Sequence, residues 1–297
     1  MTLALSKYAG SHAWLAEQRP DAFPLPAPGG RAHVPFCGAG SVALALYAGR
    51  YPLVVSDKNP RLVNAWIQVR DNVNGVIGAL AAHVEQWKKT TAGAPSREEH
   101  DLASRAVFEA IRDGLDWGSP AEQAASMLFV LRASFNGLWR VNQDGQCNSP
   151  HGKPCPDVDL LRADDTRRIA VLLQGIDIRC EDFAATTAAA REGDCLYADP
   201  PFQGTHTAFC ADGAEWEARQ ATLPGLGESS ARERLAGELR RLDGLGVRWT
   251  LSDAATPVTR SLYRGWPIEV LTRQNSVTCK AEDRGKGAPE LLVRNWR

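Results

Sequence analysis

A glycine-rich turn between two strand-like runs is the feature that most constrains the fold of this chain. The apolar run 32–36 leads into Gly38-Ala39-Gly40-Ser41, and an apolar run typical of a helix start follows. A second strand-like run, 52–56, ends at Asp57. Glycines permit a tight turn and close approach of a ligand, and an aspartate after the next strand can accept from ribose hydroxyls. The glycines alone are equally typical of a plain tight turn. The whole pattern predicts a ligand that carries adenosine, either a nicotinamide dinucleotide or S-adenosylmethionine.

Strand-like and helical patterns alternate at both ends of the chain, and the middle is mostly helical. An Asn-, Gly- and Pro-rich stretch, 136–153, ends the middle part and is typical of a loop or hairpin. We therefore predict an α/β fold, a doubly wound Rossmann-like sheet with an inserted, mostly helical module that carries a β-hairpin. The predicted division is 1–60 with 176–297 for the sheet and 61–175 for the insertion. Further strands are predicted at 176–180, 195–198, 247–252, 268–271 and 291–293, and helices at 61–73, 76–89, 100–113, 121–134 and 229–243.

The turn Asp199-Pro200-Pro201-Phe202 ends the strand-like run 195–198. Its prolines have a fixed φ and no N–H, so the turn is rigid and offers a carboxylate and carbonyl oxygens as acceptors. Phe202 adds a flat apolar face. A planar ring with an amino group would satisfy all three features, while an ordinary turn at the end of a strand is the alternative interpretation.

Composition allows an enzyme and limits the partners. The chain is 44% hydrophobic and 23% charged, as in soluble globular proteins. Its net charge of -1 excludes a global basic field, so a nucleic-acid surface has to be local. Residues 260–297 carry eight basic and four acidic side chains, which suits phosphate contacts or simply a solvated surface.

Cysteine usage predicts reduced thiols and a cytoplasmic protein, because the seven cysteines are odd in number and irregularly spaced. Cys147, His151 and Cys155 match no common zinc spacing, so we expect no metal. No run approaches the roughly 18 apolar residues of a membrane span. Lys7 and Glu17 interrupt any secretory leader.

These motifs together resemble those of the Dam-type, D12-class N6-adenine DNA methyltransferases. The glycine turn, Asp57 and the Asp-Pro-Pro turn stand in that family's order, with the cofactor motif first, the recognition insert next and the catalytic motif last. Further matching segments are 7–10, 135–142, 145–152 and 252–256. The resemblance covers nearly the whole chain. It implies a class I methyltransferase sheet, S-adenosyl-L-methionine as cofactor, double-stranded DNA as partner, and a monomer or weak dimer.

The resemblance also implies a role for each residue of the catalytic turn and the cofactor site. Asp199 and the Pro200 carbonyl would accept from adenine N6, and the flipped-out base would stack on Phe202. The alternative for Phe202 is a core aromatic that closes the turn. The implied catalytic residues are Asp199, Pro200, Pro201 and Phe202. The expected cofactor-binding residues are Tyr8, Ala9, Gly10, Phe36, Gly38, Gly40, Ser41, Asp57, Asp182, Phe183 and Asp199.

Sequence recognition is implied for residues 135–153. Phe135 and Asn136 would fill the space left by the flipped base, and Arg140 would make a bidentate contact to guanine O6 and N7. Lys7 matches a further base-contacting lysine, and GATC is the leading target. A hairpin with ordinary Asn and Gly turn chemistry is the alternative. The implied DNA-binding residues are Lys7, Phe135, Asn136, Leu138, Arg140, Asn142, Asn148 and Pro150.

Two positions depart from the family pattern. Phe202 stands where the family has tyrosine, and because stacking needs only the ring, we expect activity to survive. Gly10-Ser11-His12 stands where the family continues Gly-Gly-Lys, so a lysine near the cofactor or the DNA is missing. Methylation of cytosine N4 or of RNA adenine is the alternative within enzymes. A catalytically weak DNA-binding homologue is the alternative outside them.

Overall fold

The computed structural model describes residues 3–8, 10–142, 144–201, 231–274 and 287–297, without the side chains of 273–274 and 287–288. Within these residues, the strands form a single seven-stranded sheet. The strands are β1 (Ala32–Val34), β2 (Leu53–Asp57), β3 (Asp177–Cys180), β4 (Cys195–Ala198), β5 (Arg248–Ala254), β6 (Ile268–Gln274) and β7 (Gly287–Arg294).

The sheet has the order β3-β2-β1-β4-β5-β7-β6. Its first five strands are parallel, with Val34 opposite Val55 and Ala198 opposite Leu251. Strand β7 runs antiparallel to both β5 and β6. The order of the parallel strands is that of doubly wound nucleotide-binding folds, with the switch point between β1 and β4. The predicted α/β fold with a Rossmann-like sheet is confirmed.

Helices lie before β1, between β2 and β4, and on either side of β5. The predicted helix after Asp57 is α2, where Asn59 accepts from the N–H groups of Arg61 and Leu62 and Pro60 occupies the first turn. No helix in the part of the chain described above is both long and apolar enough to cross a membrane. The helices are α1 (Ala13–Gln18), α2 (Pro60–Asp71), α3 (Val73–Thr91), α4 (Arg97–Asp113), α5 (Pro120–Ala133), α6 (Ala163–Leu172), α7 (Phe183–Ala188), α8 (Ala231–Gly244) and α9 (Pro257–Leu262).

One apolar core extends from the sheet into the helices between β2 and β3. Helix α2 packs against β2 and β3 on one side and α5 on the other. As predicted, Leu62, Trp66 and Val69 form its buried face. The same cluster includes Val55 of the sheet and Phe108 of α4. The helices therefore share a core with the sheet, and a separate unit at 61–175 stays a prediction.

A second core covers the opposite face of the sheet. Leu235 and Leu239 of α8 pack on Trp249 of β5, together with Tyr263 and Leu291. The sheet is thus covered on both faces, as buried parallel strands require. The candidate site lies at one end of the strands.

Arg132 of α5 connects the helices to the N-terminal segment. This largely buried side chain donates to the carbonyl oxygens of Leu5, Leu160 and Leu161 and to Thr166 Oγ1. Burial lowers the pKa of Arg132 to about 9. Carbonyl groups of two separate stretches of chain, at Leu5 and at Leu160 and Leu161, are therefore bonded by one guanidinium.

We expect Arg132→Met to lower the free energy of unfolding by about 3 kcal/mol, because it leaves buried carbonyl groups without a donor. Urea unfolding followed by circular dichroism measures the loss. Arg167→Met on α6 is the matched control, because Arg167 is exposed and should change stability by less than about 0.5 kcal/mol. Equal stability of the two variants would contradict the connecting role of Arg132.

Candidate active site

The motifs predicted to form the site follow three adjacent strands. Gly38 comes after β1, Asp57 ends β2, and Asp199 comes directly after β4. Because β2, β1 and β4 are parallel neighbours, their carboxyl ends lie side by side at one edge of the sheet. Ligands of doubly wound folds bind at this edge, beside the switch point.

The glycine turn is fixed by Asp57 and by Trp66 of α2. Asp57 Oδ2 accepts from the N–H of Gly38 at 3.0 Å, and Trp66 Nε1 donates to the Gly38 carbonyl at 2.9 Å. Gly40 has φ +78°, and a Cβ there would lie 2.1 Å from the Trp66 ring. Phe36, just before the turn, also has a positive φ of 61°, which is strained for a residue with a side chain. Glycine is required at position 40 by both space and backbone conformation.

The N-terminal segment lies along this turn. Leu5 N–H donates to the Ala39 carbonyl at 3.1 Å, and the Tyr8 ring flanks Gly38. Ser11 Oγ donates to Ser41 Oγ at 2.8 Å. Of the predicted cofactor residues in this segment, Gly10 has φ +84° and Ala9 lies outside the described residues. The structure thus brings Tyr8 and Ser41 to the glycine turn.

Asp182 and Phe183 lie where β3 ends and α7 begins. The Phe183 ring packs on Phe36, with 5.3 Å between ring centroids, and the Arg234 guanidinium lies 5.0 Å from the Phe183 centroid. Asp182 Oδ1 accepts from the N–H of Ala184 as a helix cap and from Arg234 Nη2 at 2.9 Å. The predicted acceptor and apolar wall are therefore next to the glycine turn, together with a cation, Arg234, that no sequence motif predicted.

Asp199 is held by a buried histidine. His12 is 1% exposed, and its Nδ1 lies 2.8 Å from Asp199 Oδ2. The other ring nitrogen, Nε2, lies 3.0 Å from Glu290 Oε2 on β7. His12 thus bridges two carboxylates from separate parts of the chain.

The two charges also decide the protonation of His12. Burial by itself lowers the pKa of His12, but the charges and hydrogen bonds of Asp199 and Glu290 outweigh burial and raise the pKa to about 10. His33 provides a comparison, because it is also buried but bonds only one carboxylate, Asp194, at 2.9 Å. Burial lowers the pKa of His33 despite that partner. His12 is therefore an imidazolium at neutral pH, while His33 is neutral.

The backbone after Asp199 is anchored by a buried ion pair. Arg232 of α8 donates through Nη2 to the Pro201 carbonyl at 3.0 Å. Its Nε and Nη2 also form a bidentate pair with Asp253 of β5, at 3.0 and 2.9 Å. Arg232 is 2% exposed and Asp253 is fully buried. The rigid Asp199-Pro200-Pro201 turn therefore has support at both ends, while Phe202 lies outside the described residues.

The segment predicted to recognise DNA contains antiparallel pairing. Val141 pairs with Cys147, and Asn148 N–H donates to the Arg140 carbonyl at 2.9 Å. The Arg140 guanidinium folds back on Asn148, with Nε 2.8 Å from Oδ1. Asn142 Oδ1 accepts from two N–H groups of the loop and shapes its tip. The seven predicted contact residues of this segment, Phe135, Asn136, Leu138, Arg140, Asn142, Asn148 and Pro150, are all partly exposed.

Lys7 joins the hairpin to the N-terminal segment. Its Nζ lies 2.8 Å from Asn136 Oδ1, and Asn136 has a positive φ of 54°. A Cβ on Gly137 would lie 2.1 Å from the Lys7 carbonyl oxygen, so only glycine fits this approach. Lys7 is exposed, as a residue that contacts DNA has to be.

Two members of the Cys147, His151 and Cys155 group bond side-chain hydroxyl groups. Cys147 Sγ donates to Ser149 Oγ at 3.3 Å, and His151 Nε2 bonds Ser104 Oγ at 2.9 Å. Among the residues that the structure describes, no three His, Cys, Asp or Glu side chains come together in a way that could hold a metal ion.

Comparison with known proteins decides the family. The model of the family described as D12 class N6 adenine-specific DNA methyltransferase matches residues 8–266. The chain belongs to this family. The resemblance inferred from the motifs is confirmed.

Individual relatives agree with the family. A Type II methyltransferase of Lactococcus lactis subsp. cremoris is 28% identical over 274 residues, covering 88% of this chain and 85% of the relative. The DNA adenine methylase of Haemophilus influenzae is 28% identical over 87% of this chain and 82% of its own length. That of Vibrio cholerae is 27% identical over 87% and 84%. A solved precorrin-8w decarboxylase overlaps with a TM-score of only 0.32 at 12% identity, over 92% of this chain and 84% of that one.

Several residues around the D12 methyltransferase site had no sequence prediction. Glu290 stands within an apolar strand-like run, and Arg232 within a helix of many charges, so neither is conspicuous. Asp253 lies in the segment 252–256, which carried the family resemblance without an assigned role. His12 drew notice only as a departure from the family's lysine. Their roles depend on contacts between distant parts of the chain.

Two buried histidines of this methyltransferase, His12 and His33, should affect stability with opposite pH dependence. His12 has a pKa raised from 6.5 to about 10, so its stabilising protonation is complete below 6.5 and lost as the pH rises through about 10. We expect the stability difference between the wild-type protein and His12→Gln to shrink over that range. His33 has a lowered pKa, so the unfolded chain takes up the proton first and stability is lost on acidification below 6.5.

Thermal unfolding of the wild type, His12→Gln and His33→Gln between pH 5 and 10 measures both effects. The wild type should unfold at a higher temperature than either variant near neutral pH. Its difference from His33→Gln should become smaller toward pH 5, and its difference from His12→Gln should become smaller toward pH 10. If the unfolding temperatures of the three proteins change with pH in parallel, neither histidine changes its protonation on folding in the expected direction.

Proposed function

We propose that this chain is a site-specific, adenine-specific DNA methyltransferase that transfers a methyl group from S-adenosyl-L-methionine to N6 of an adenine flipped out of double-stranded DNA. The observation that carries the proposal is the position of the Asp199-Pro200-Pro201 turn beside the glycine turn, at the carboxyl edge of the sheet. Family membership gives the reaction class, and the geometry supports the roles of individual residues.

The residues at the glycine turn fit a nucleoside cofactor. Gly38 and Gly40 leave the backbone open to close approach, and Asp57 stands at the end of β2, where a ribose can reach its carboxylate. Phe36 and Phe183 offer an apolar surface for the adenine ring, and Asp182 an acceptor for its amino group. Tyr8, Ala9, Gly10 and Ser41 would complete the site. When bound, the cofactor supplies an electrophilic methyl group.

The chemistry assigned to the chain is the activation of an amine. The lone pair of an exocyclic amine is delocalised into the ring, which makes the nitrogen a poor nucleophile. Asp199 and the Pro200 carbonyl would accept from its two N–H groups, draw the nitrogen toward a tetrahedral geometry and localise the lone pair. A carboxylate offers about four lone-pair positions, so the bond from His12 leaves capacity for the amine. Catalysis then depends on positioning and electrostatics.

Recognition is assigned to the helices and hairpin of 61–175. Phe135 and Asn136 would occupy the space of the flipped base, with Lys7 beside them, and Phe202 would stack on the adenine. Leu138, Asn142, Asn148 and Pro150 would line the rest of the DNA contact, for which GATC is the proposed sequence. The basic residues of 260–297 would contact phosphates; of these, Lys280, Arg284 and Lys286 lie outside the described residues. We infer a monomer or weak dimer acting in the cytoplasm.

We expect Asp199→Ala to abolish methyl transfer, by a factor of about 10³ or more, because the principal acceptor for the amine is lost. The measurement is incorporation of labelled methyl groups into unmethylated double-stranded DNA. Asp177→Ala is the matched control, since Asp177 is an exposed acid of β3 paired with Arg179. Full transfer by Asp199→Ala would contradict its catalytic role.

The same assay separates the alternatives. Nucleoside analysis of the product distinguishes N6-methyladenine from N4-methylcytosine, and a parallel RNA substrate tests RNA methylation. A wild-type protein that binds duplex DNA without any transfer would be the catalytically weak homologue instead. The departures from the family pattern at Phe202 and Ser11-His12 are the observations that favour this second candidate.

Arg140→Ala should relax the base preference at one guanine of the target. In the structure the Arg140 guanidinium donates to the side-chain Oδ1 and the backbone carbonyl of Asn148. On DNA, the guanidinium would exchange these bonds for bonds to guanine O6 and N7. A bidentate contact discriminates between bases by about 1–3 kcal/mol, so preference should fall roughly 10- to 100-fold. Transfer rates on GATC duplexes and single-base variants measure the change, with Arg167→Ala as a control. Unchanged selectivity would remove Arg140 from base reading.

A further inference from the structure

We propose that His12 is a positioning residue for methyl transfer, which as an imidazolium between two carboxylates holds Asp199 in the orientation that receives the substrate amine. The inference rests on the function proposed above for Asp199 and extends it to a residue outside the Asp-Pro-Pro turn. It gives the Ser11-His12 departure from the family's Gly-Gly-Lys a specific consequence.

With both carboxylates ionised, hydrogen-bond chemistry requires the charged ring. An ionised carboxylate only accepts, and a neutral imidazole carries a single N–H. His12 places Nδ1 2.8 Å from Asp199 and Nε2 3.0 Å from Glu290, so bonding both carboxylates takes a proton on each nitrogen. Glu290 is 5% exposed, which strengthens the interaction relative to water. The raised pKa of His12 agrees with this count of donors.

The imidazole is mounted on a fixed piece of backbone. The His12 carbonyl accepts from the N–H groups of Leu15 and Ala16 at the start of α1. The neighbouring Ser11 hydroxyl bonds Ser41 in the glycine turn. His12 therefore connects the carboxylate assigned to the amine with the turn assigned to the cofactor. The two contacts come from adjacent residues of one dipeptide.

The charged groups around His12 come from three directions. Asp199 follows β4, Glu290 belongs to β7, and beyond Asp199 the Arg232–Asp253 pair is fully buried. The trio of one imidazolium and two carboxylates has a net charge of -1, and the neighbouring Arg232–Asp253 pair is neutral. The Asp199 side chain keeps 21% exposure, so it is the member of the trio that a substrate can reach.

A purely structural ion pair is the competing interpretation, since His12 also links α1 to the sheet. The two interpretations differ in what a substitution does to the bound complex. A positioning residue changes the rate of transfer at saturating cofactor and DNA. A residue with only a structural role affects folding or binding but leaves the rate in the folded, saturated complex unchanged, so a new cation at the same position would have no rate to restore.

The test is a single-turnover methyl transfer assay on the full chain, with saturating S-adenosylmethionine and unmethylated duplex DNA. We expect His12→Gln to slow transfer roughly 30- to 100-fold, as small misplacements of reacting groups do, with both dissociation constants unchanged. His12→Lys, which restores a cation with several donors, should stay within about 5-fold of the wild type. His33→Gln is the control, because it alters a buried histidine–aspartate pair outside the site.

The outcomes are distinguishable. Absence of transfer by the wild type defeats the proposed function itself, whereas an active wild type with His12→Gln at a similar rate overturns only the role of His12. A His12→Lys variant as slow as His12→Gln, or a loss confined to binding, also overturns it. Imidazole nitrogen NMR of the wild type needs no variant: N–H signals from both ring nitrogens of His12 at pH 8 support the proposal, and a neutral ring contradicts it.

Discussion

The candidate site depends on residues 5–8 and 10–12, which lie at the carboxyl edge of the sheet and hydrogen-bond the glycine turn, the hairpin and Asp199. Leu5 bonds the glycine turn, Lys7 bonds Asn136 of the hairpin, Ser11 bonds Ser41, and His12 bonds Asp199. Parallel strands bring the glycine turn and Asp199 to one edge, but strand topology alone does not fix their side chains. The N-terminal segment supplies that cross-linking.

Both ends of the Asp-Pro-Pro turn are held by buried charges, and this choice has a cost. Moving ions out of water costs several kcal/mol each, and apolar side chains of the same volume are often at least as stable. Stability alone therefore does not explain these ion pairs, since apolar side chains in place of both partners of a pair could do as well. What the ion pairs provide is direction: Glu290 helps to keep His12 charged, and Asp253 aims the Arg232 guanidinium at the Pro201 carbonyl. The turn is thereby held rigid where the proposed chemistry needs an acceptor in one place.

Local patterns predicted the fold well. The strands at 32–36, 52–56 and 195–198 and the buried face of α2 follow from alternation, periodicity and the Asn59-Pro60 start signal. The short helices α1, α7 and α9 had no comparable pattern, because six residues make fewer than two turns. Helix α6 was also missed, since it follows the hairpin and begins at an Arg162 cap of unusual, left-handed conformation.

The residues of the candidate site also fall into two groups, those with a local sequence pattern and those without one. Motif residues such as Asp57 and Asp199 could be found because each stands next to a recognisable strand end or turn. The partners of those residues could not: Glu290 is 278 positions from His12, and Arg232 is 21 from Asp253. Such pairs are selected by proximity in the folded chain, and a single sequence has no local pattern that announces them.

A buried histidine at position 12 needs carboxylate partners to be a cation at neutral pH. A lysine ammonium ordinarily titrates near 10.4 and would stay charged beside Asp199 alone, whereas imidazole titrates near 6.5 and loses its proton on burial. His33, which bonds the single carboxylate Asp194 and lies near Arg31 and Arg179, has a lowered pKa, chiefly because of burial. His12 has the second carboxylate, and its pKa is raised. The cation at this position is thus a property of three residues acting together: Asp199 contributes most to the raised pKa of His12, and Glu290 adds a second carboxylate.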